Sequence, residues 1–360
     1  MRTGKEGEIG MRKIVAVLLL LAMALGTLGA LAETPKATSV AINSTNFPAK
    51  ALRSYVKKHF DANKDGKLST KERNAVKKIT LFKESYYDNG KEPPTCKTMK
   101  GIEYFPNLEA LYCDFCGVEK LDVSKNTKLV TLCCSVNELK KLNVSKNKKL
   151  EKLYCYGNYG LTKLDVTKNT KLKELLCDTC GISALDVTKC PNLKKLYCGN
   201  SPLKKLDVTR NPKLEELYCG GGQEGVTPIT KLDVTKNPNL KMLNCSDTKI
   251  TKLNVTKNPK LKYLFCEGLK KLTKLDVSKN TSLVALYAGR TGIKKLDIKN
   301  NKKLQKSLNG KADINGWVDE DEDTIYWGVN VEVTGTEKGV VINRTTKLTA
   351  GSKTLYKGNK

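Results

Sequence analysis

Leucine and polar residues alternate along most of the chain in a pattern that returns at a nearly constant interval. Leucines spaced 21 to 26 residues apart open nine units, and another leucine follows three positions after each of them. The fifth residue after the opening leucine is cysteine in eight units, and a segment of the type L-D-V-[ST]-K-N comes later. The opening leucines are Leu108, Leu129, Leu150, Leu172, Leu193, Leu214, Leu240, Leu261 and Leu283. This spacing indicates one structural unit repeated along the chain.

A single unit is too short to bury its own apolar side chains, so the pattern predicts coils that stack on one another. Each coil would hold one short strand and a turn, with neighbouring strands ~4.8 Å apart. We therefore predict a leucine-rich repeat solenoid, a right-handed superhelix of short parallel strands and turns, over residues 99–304. It would contain nine full units and a degenerate tenth that begins at Leu304.

The repeat resembles the cysteine-ladder leucine-rich repeats of internalin J and of many secreted Firmicutes proteins. The likeness rests on cysteine in place of the usual strand leucine and on the L-D-V-S-K-N segment, as at 121–126 and 275–280. It extends over residues 99–304, most of the chain. The resemblance implies a secreted or cell-surface binding protein, often an adhesin, without enzymatic activity.

The repeated cysteines predict a ladder of buried thiols. Side chains in register on parallel strands keep their Cβ atoms ~4.8 Å apart, which is longer than the ~3.8 Å that a disulfide favours. We therefore interpret these residues as free thiols that act as small apolar side chains. The ladder residues are Cys113, Cys134, Cys155, Cys177, Cys198, Cys219, Cys245 and Cys266.

Two Cys-x-x-Cys pairs, 113/116 and 177/180, have the spacing of zinc or thiol-redox motifs. The repeat register favours a structural role, because Cys116 and Cys180 share the column of Asn137 and Asn158. Cys133 falls in a strand column predicted to face solvent, so we expect it to be the reactive thiol. A thiol-redox or zinc protein is therefore the less favoured alternative.

A calcium loop is predicted in the segment before the repeat. An amphipathic helix over residues 47–60 leads into residues 61–72, which match the pattern D-x-[DN]-x-[DN]-G-x5-E of an EF-hand-like loop at each specified place. The expected ligands are Asp61, Asn63, Asp65, the carbonyl of Lys67, Ser69 through water, and Glu72. A second helix should follow over 69–78. We predict one Ca²⁺ that stiffens an EF-hand-like helical cap over residues 33–98, and a vestigial loop without metal is the alternative.

Both ends of the chain fall outside the repeat. Residues 1–32 have the form of a secretory signal peptide with its expected start at Met11, because two basic residues, an apolar run and an A-x-A site follow in order. The mature protein is therefore expected to be secreted or associated with the cell surface. Residues 305–360 leave the repeat, and we expect a β-rich C-terminal cap or the start of a further module.

One strand column carries a stripe of aromatic residues. The fourth position after the opening leucine is predicted to face solvent on the concave face of the solenoid, and six of its nine residues are aromatic. Such a stripe suits a protein surface or stacked sugar rings; the alternative is that aromatic residues only stabilise neighbouring strands. The stripe is Tyr112, Tyr154, Tyr197, Tyr218, Phe265 and Tyr287, and the sixth column adds Asp114, Tyr156, Asp178 and Glu267.

The charge of the chain is strongly positive, with 65 Lys and Arg against 37 Asp and Glu. Removal of residues 1–32 takes away four basic and two acidic residues, which leaves a net charge of +26. One basic column offers a surface for an anionic wall polymer or sulfated glycan, and a solvated flank is the alternative. It contains Lys125, Lys146, Lys168, Lys189, Arg210, Lys236, Lys257 and Lys279. Nucleic acid is not an expected partner, because the chain is exported and carries no recognition motif.

Catalysis has little support in the composition. His59 is the only histidine, so a multi-histidine metal site is excluded and any catalytic pair with histidine would have to use this residue. We therefore predict an exported leucine-rich repeat binding or adhesion protein that recognises a protein or glycan through its concave aromatic face. The alternative binding role is a cell-wall-associated structural protein held to anionic polymers by its lysine columns.

Overall fold

The computed structural model describes residues 39–81, 95–221 and 227–307, and the strand segments 317–318, 324–327, 339–343, 347–350 and 353–356. The chain begins there with strand β1 (Val40–Ala41), helix α1 (Lys50–His59), strand β2 (Lys67–Leu68), helix α2 (Thr70–Ala75) and strand β3 (Lys78–Thr80). The predicted signal peptide, residues 1–32, lies outside the described residues. No helix among those described is both long and apolar enough to cross a membrane.

Nine parallel strands, one from each predicted unit, form the centre of the molecule. The opening leucines, the strand leucines and the ladder cysteines are buried, since each coil covers the apolar side chains of the coil before it. The strand leucines pair in register from coil to coil, as Leu175 does with Leu196. The strands are β4 Ala110–Tyr112, β5 Thr131–Cys133, β6 Lys152–Tyr154, β7 Glu174–Leu176, β8 Lys195–Tyr197, β9 Glu216–Tyr218, β10 Met242–Asn244, β11 Tyr263–Phe265 and β12 Ala285–Ala288. The predicted leucine-rich repeat solenoid is confirmed.

A column of buried asparagines joins successive coils on the side of the L-D-V segments. In each case the amide nitrogen donates to two backbone carbonyls of the preceding coil, as Asn147 does to Val123 at 3.0 Å and to Asn126 at 2.8 Å. Each of these carbonyls already accepts one bond from a backbone N–H of its own coil, as Val123 does from Asn126 at 3.0 Å, and the amide adds a second bond that links the two coils. The column is Asn126, Asn147, Asn169, Asn211, Asn237, Asn258, Asn280 and Asn301.

The helical cap is smaller than the sequence predicts. Helix α2 ends at Ala75 rather than at residue 78, because Lys78–Thr80 pairs in parallel with Ala110–Tyr112 and extends the ladder by one strand. Ile79 of this strand is fully buried. The open edge of β4 offers backbone partners that a short exposed helix lacks, so the strand replaces the last helical turn.

The cap packs against the first coil through Phe47 and Gly101. Gly101 has φ of +113°, in the left-handed region, and opens a short 3₁₀ helix, Ile102–Tyr104. A Cβ atom at this position would lie 2.2 Å from Cδ1 of Phe47, so only glycine fits the contact. The Phe47 ring also lies 6.2 Å from the ring of Phe105. The apolar core is therefore continuous from the cap into the repeat.

The C-terminal end departs from the predicted repeat. A strand, β13 (Lys295–Asp297), precedes helix α3 (Lys302–Ser307), which occupies the place of the predicted tenth unit. The prediction of a degenerate tenth unit is wrong in this respect, since Ser307 stands where each other unit has its strand leucine. Residues Gly339–Asn343 instead form the strand that pairs in parallel with β12.

Five strands beyond helix α3 belong to the part of the chain that the structure describes. They are β14 (Trp317–Val318), β15 (Thr324–Trp327), β16 (Gly339–Asn343), β17 (Lys347–Ala350) and β18 (Lys353–Tyr356). Strands β14, β15 and β16 continue the large sheet past β12, whereas β17 and β18 form a three-stranded sheet with β13. The last coil is therefore paired on two sides, at its strand and at its L-D segment.

Candidate functional site

The aromatic stripe lies on the outer side of the parallel ladder but is less exposed than the sequence predicts. We call the side formed by the second, fourth and sixth columns the strand face. Most stripe side chains are half-buried, and Tyr287 is only 9 % exposed. Cys133, which was predicted to be exposed and reactive, is 4 % exposed. It stands between Tyr112 and Tyr154 on the two neighbouring strands, and these larger side chains cover it.

Two tyrosines of the stripe are held by carboxylates from the next coil. The hydroxyl of Tyr154 donates to Glu174, and that of Tyr197 donates to Glu216 at 2.7 Å. Burial and these hydrogen bonds raise the pKa of both tyrosines. Because each partner is fixed by the register of parallel strands, the rings are held in place before any ligand arrives.

The same two carboxylates also pair with lysines on the strand before them. Lys152 lies 2.9 Å from Glu174, and Lys195 lies 2.9 Å from Glu216. Each Lys–Tyr–Glu group is therefore close to neutral, and its aromatic ring is the part left for contact. The sequence pattern alone did not identify these second-column residues as part of the face.

Ring contacts link further members of the stripe. The ring centroids of Tyr197 and Tyr218 lie 6.0 Å apart in an edge-on arrangement, and those of Phe265 and Tyr287 lie 5.0 Å apart and stacked. At the first coil the ammonium group of Lys78 lies 5.0 Å above the Tyr112 ring. The structure therefore aligns the predicted aromatic residues along one column of the strand face, which is interrupted at Cys133, Leu176 and Asn244.

The sixth column holds two carboxylates on either side of Tyr156, with Asp178 on the next coil and Asp114 two coils before it. Asp114 accepts a hydrogen bond from the backbone N–H of Ser135 at 2.7 Å. Burial raises the pKa of Asp114 and of Asp178, and burial raises the pKa of Tyr156, with smaller contributions from the two carboxylate charges. The three side chains are half-buried on the first, third and fourth coils.

A column of left-handed residues follows these carboxylates. Thr179 adopts φ of 55° and Val136 adopts φ of 51°, conformations that cost a β-branched residue about 1–2 kcal/mol. Gly157 and Gly268 occupy the same column with φ of 67° and 68°, so glycine meets the same backbone requirement. The non-glycine members are Phe115, Val136, Thr179, Asn200, Asp247 and Arg290. The edge of the strand face therefore carries side chains at positions whose left-handed backbone conformation favours glycine.

The predicted calcium loop has an arrangement that fits a cation at Asp61. This side chain is 5 % exposed, and its Oδ2 accepts from the backbone N–H of Gly66 at 3.1 Å. Its Oδ1 is buried and has no hydrogen-bond partner in the structure. A buried carboxylate oxygen without a partner is costly unless a ligand satisfies it. Asn63 and Asp65 form the loop turn, with the backbone N–H of Asp65 donating to Asn63 Oδ1 at 3.2 Å.

Glu72 occupies a different role in the same loop. Its Oε2 accepts from the N–H and hydroxyl of Ser69, and its Oε1 accepts from the N–H of Ala62 at 2.8 Å. These bonds form a capping box at the start of α2 and lower the pKa of Glu72. Within the described part of the chain, no three His, Cys, Asp or Glu side chains are grouped to hold a metal. Metal binding would therefore require Glu72 to turn away from the cap of the helix.

A short strand supports the loop from the other side. Val40 and Ala41 pair in antiparallel with Leu68 and Lys67, and the N–H of Ile42 donates to the carbonyl of Gly66 at 2.9 Å. Leu68 is fully buried in the core. A single loop is thus braced by the residues that precede helix α1.

All thirteen cysteines are free and buried. Burial raises the pKa of Cys133 to about 12 and the pKa of Cys116 to about 12, so the nucleophilic thiolate is disfavoured in both. The Sγ of Cys180 lies 3.3 Å from the carbonyl of Cys155, the kind of bond that Asn158 makes to Cys134. This geometry supports the structural interpretation of the Cys-x-x-Cys pairs.

The predicted basic column is exposed along its whole length. None of its eight residues forms an ion pair within 4 Å inside the described part of the chain. Shallow grooves run between coils on the same flank; one is lined by Lys120, Lys125 and Lys141 together with Asp122. Lys125 of the basic column therefore lies in the same groove as two further lysines, beside the aspartate of an L-D-V segment.

Comparison with known proteins identifies solved structures with the same architecture. The functional domain of InlJ (internalin J) from Listeria monocytogenes, which includes a cysteine ladder, is 30 % identical, with a TM-score of 0.60 over 74 % of this chain. The chain covers 60 % of that structure's length. No protein-family profile and no curated protein matches the chain.

Two further internalins from Listeria monocytogenes share the fold. InlF is 19 % identical with a TM-score of 0.51, covering 76 % of this chain and 89 % of its own. Internalin C2 is 20 % identical with a TM-score of 0.53, covering 62 % of this chain and 96 % of its own. The chain is thus a leucine-rich repeat scaffold with a cysteine ladder, as the repeat pattern predicts.

Proposed function

We propose that the chain is an exported binding or adhesion protein that recognises a protein or glycan ligand through the aromatic stripe of its strand face. The observation that carries this proposal is the line of half-exposed rings held in register by parallel strands. Rings fixed in advance lose little conformational entropy when a ligand packs on them, which favours binding. The adhesin role comes from the internalin-like architecture and is part of the proposal.

Export is proposed from residues 1–32, whose basic start, apolar run and small-residue site are those of a signal peptide. The N-terminus of the exported chain, measured by mass spectrometry of culture medium and cell-wall fractions, tests this. We expect it to begin close to residue 33. Recovery of the chain with its apolar run intact would contradict export by this route.

The stripe is tested by a glycan array and a pull-down from surface proteins, each run at two salt concentrations. Tyr197→Ala with Tyr218→Ala removes two rings that contact each other at 6.0 Å. We expect the double variant to lose at least about tenfold in affinity for any ligand that the unaltered chain retains at high salt. Tyr159→Ala is the matched control, since Tyr159 is 67 % exposed and lies off the strand face. Equal losses in both variants would contradict recognition by the stripe.

Calcium binding in the cap is a second part of the proposal. The buried oxygen of Asp61 supports it, and Asp61, Asn63, Asp65, the carbonyl of Lys67 and Glu72 would hold the ion, with Ser69 acting through water. When bound, the cation would supply positive charge that offsets the negative charges of the three loop carboxylates, Asp61, Asp65 and Glu72. The loop would thereby be locked against β1 and the first coil, which needs a cap at its exposed end.

Retention on an anionic wall polymer is the alternative binding role. The exposed basic column without ion pairs favours it, because these charges are available to a partner. Such binding should weaken steeply as salt rises, whereas contacts with the stripe should persist. Replacing Lys168, Lys189 and Arg210 by glutamine should release the protein from isolated cell walls at lower salt. Release at the same salt as the unaltered chain would contradict this role.

A further inference from the structure

The strand face has a distinct composition over the fifth to seventh coils. Its fourth column holds Tyr197, Tyr218 and Asn244 there, and these three lie side by side because their strands pair in register. The second column holds Lys195, Glu216 and Met242, and the sixth holds Gly199, Gly220 and Ser246. Two aromatic rings and an amide are therefore adjacent on one line of the face.

The two glycines of the sixth column leave room for these side chains. Neither has a positive φ, so the backbone conformation does not itself require glycine at either position. A Cβ atom at position 199 would lie 2.5 Å from Cε1 of Tyr218, and one at position 220 would lie 2.7 Å from Oδ1 of Asn244. Each would also meet a backbone carbonyl of the next coil, at 2.3 and 2.7 Å. The Tyr218 ring and the Asn244 amide therefore lean over the sixth column, into space that any larger residue would fill.

Hydrogen bonds hold the three side chains in place. The Tyr218 hydroxyl accepts from Nδ2 of Asn200 at 3.1 Å, and the Tyr197 hydroxyl donates to Glu216 at 2.7 Å. Oδ1 of Asn244 accepts from the backbone N–H of Ser246 at 3.0 Å. Because this oxygen is engaged, the amide nitrogen is the group that Asn244 can offer to a ligand.

The face carries no net charge over these three coils. In their second, fourth and sixth columns, all of which the structure describes, Lys195 and Glu216 are the only charged residues, and they form an ion pair at 2.9 Å. An ionic ligand would lose hydration on this surface without meeting an unpaired opposite charge. The local charge therefore matches an uncharged ligand, although the chain has a net charge of +28.

The two tyrosine rings form a floor and a wall. Their planes meet at 67° and their centroids lie 6.0 Å apart, so a small flat group stacked on one ring has its rim against the other. A pyranose sugar has C–H groups on its faces and hydroxyl groups around its rim. Aromatic rings suit the faces, while a fixed amide and a partly exposed ion pair suit the hydroxyls.

We propose that the fifth to seventh coils of the strand face bind an uncharged pyranose residue of a glycan, which stacks on the Tyr197 and Tyr218 rings and accepts a hydrogen bond from Asn244. The inference rests on the proposed function, because it names the class of ligand that the aromatic stripe takes. Side chains that are fixed before binding lose little conformational entropy, so a sugar can bind to a shallow surface.

The test measures binding of the full chain to uncharged hexasaccharides of β-1,4-linked glucose, mannose, galactose or N-acetylglucosamine by titration calorimetry. We expect at least one of them to bind, with an affinity that changes less than about twofold between about 0.1 M and 1 M NaCl. Asn244→Ala should weaken this binding by about tenfold, the equivalent of one hydrogen bond to the ligand. Binding of none of the four sugars would overturn the proposal.

Asn254→Ala is the matched control. Asn254 also accepts from the backbone N–H two residues further on at 3.0 Å, but it lies on the flank formed by the L-D-V segments. This variant should bind the sugar as the unaltered chain does, and equal losses in the two variants would contradict a role for Asn244.

A hexasaccharide of galacturonic acid tests the charge of the ligand, because it keeps the pyranose ring and adds carboxylates. Its binding should weaken with salt and should be unaffected by Asn244→Ala. A loss of this binding in the Asn244→Ala variant would overturn the assignment of an uncharged ligand. A protein ligand that is lost in the Tyr197/Tyr218 variant, with no sugar bound by the unaltered chain, would reject the sugar and leave the proposed function intact.

Discussion

The Sγ atom of Cys190 lies 3.8 Å from the carbonyl oxygen of Asn169, at the point where other coils place an asparagine amide within hydrogen-bonding distance. In the next coil Asn211 donates to Cys190 and Val187, both at 2.9 Å. The carbonyls of Val166 and Asn169 each accept one backbone hydrogen bond, but because a thiol is a weak donor they lack the strong second bond that an asparagine amide gives in the other coils. The asparagine column is thus interrupted in the middle of the solenoid.

Cys190→Asn should stabilise the protein. Two N–H···O bonds are restored in a space shaped for asparagine, while the new Oδ1 stays unpartnered as in the other coils. We expect a gain of about 1 kcal/mol in the free energy of unfolding. Denaturant titration measures this gain. The dependence of the unfolding free energy on denaturant concentration should be the same for the variant and the unaltered chain, as expected if both unfold in one cooperative transition.

The control for this change is Cys198→Asn in the cysteine ladder. Cys198 is 1 % exposed and surrounded by apolar columns, so an amide there lacks partners and should destabilise by about 1–3 kcal/mol. If both substitutions shift stability in the same direction, the asparagine column is not the reason for the effect.

Calcium should stabilise the cap through Asp61. At a free concentration ~100 times the Kd, a single site raises stability by about 2.7 kcal/mol. Asp61→Ala together with Glu72→Gln should abolish the calcium-dependent rise in Tm. Glutamine is chosen because it preserves much of the capping box, so the calcium-dependent difference is separated from loss of the helix cap.

Lys71→Ala serves as the loop control, since its exposed side chain is not an expected ligand. It should keep the full response to calcium. A Tm that does not change with calcium in the unaltered chain, confirmed by isothermal calorimetry, would show that the loop keeps its turn without metal.

The aspartates of the L-D-V segments should make stability fall at acid pH. Hydrogen bonds from the serine or threonine two residues on lower the pKa of Asp165, Asp186 and Asp207, as for Thr167 on Asp165. The folded-state pKa lies below the unfolded value of about 3.9, so the stabilisation is present above that value and is lost as pH falls through the folded pKa. Urea unfolding between about pH 6 and pH 2 should show the loss.

The chain supplies its own control for the aspartates. Asn143 and Asn254 occupy the same column and accept the same bond, as Asn254 does from the N–H of Thr256 at 3.0 Å. Asp165→Asn, Asp186→Asn and Asp207→Asn together should therefore flatten the acid limb without unfolding the protein. Asp114 and Asp178 act in the opposite direction, because burial raises the pKa of each and favours the folded state as they become protonated.

The thiols should be unreactive in the folded protein. All thirteen cysteines are buried, and the pKa of Cys133 is raised to about 12, chiefly by burial. We expect negligible labelling by a thiol reagent near neutral pH and complete labelling of thirteen thiols after unfolding. Rapid modification at Cys133 or Cys116, located by mass spectrometry, would revive a redox role.

The repeat pattern of the sequence is sufficient to predict most of the fold. Leucine, valine and cysteine return at the same positions in nine units, and such columns can be buried only if successive coils stack in register. The asparagine column follows from the same period, and Cys190 is recognisable from sequence as its exception. The buried columns can be predicted from the sequence because each residue in them packs against the equivalent residue of the adjacent unit, which the repeat also specifies.

The tertiary structure decided exposure and the ends of the ladder. Cys133 is buried because Tyr112 and Tyr154 lie on either side of it, and a column position alone does not record the bulk of its neighbours. Strand β3 forms because the edge of β4 is available to it, whereas local sequence favours further helix. The pairing of Lys152 with Glu174, and the lack of such a partner for Asp178, likewise depend on contacts between coils. Solvent cover and edge pairing are set by groups distant in sequence, and only the folded chain brings them together.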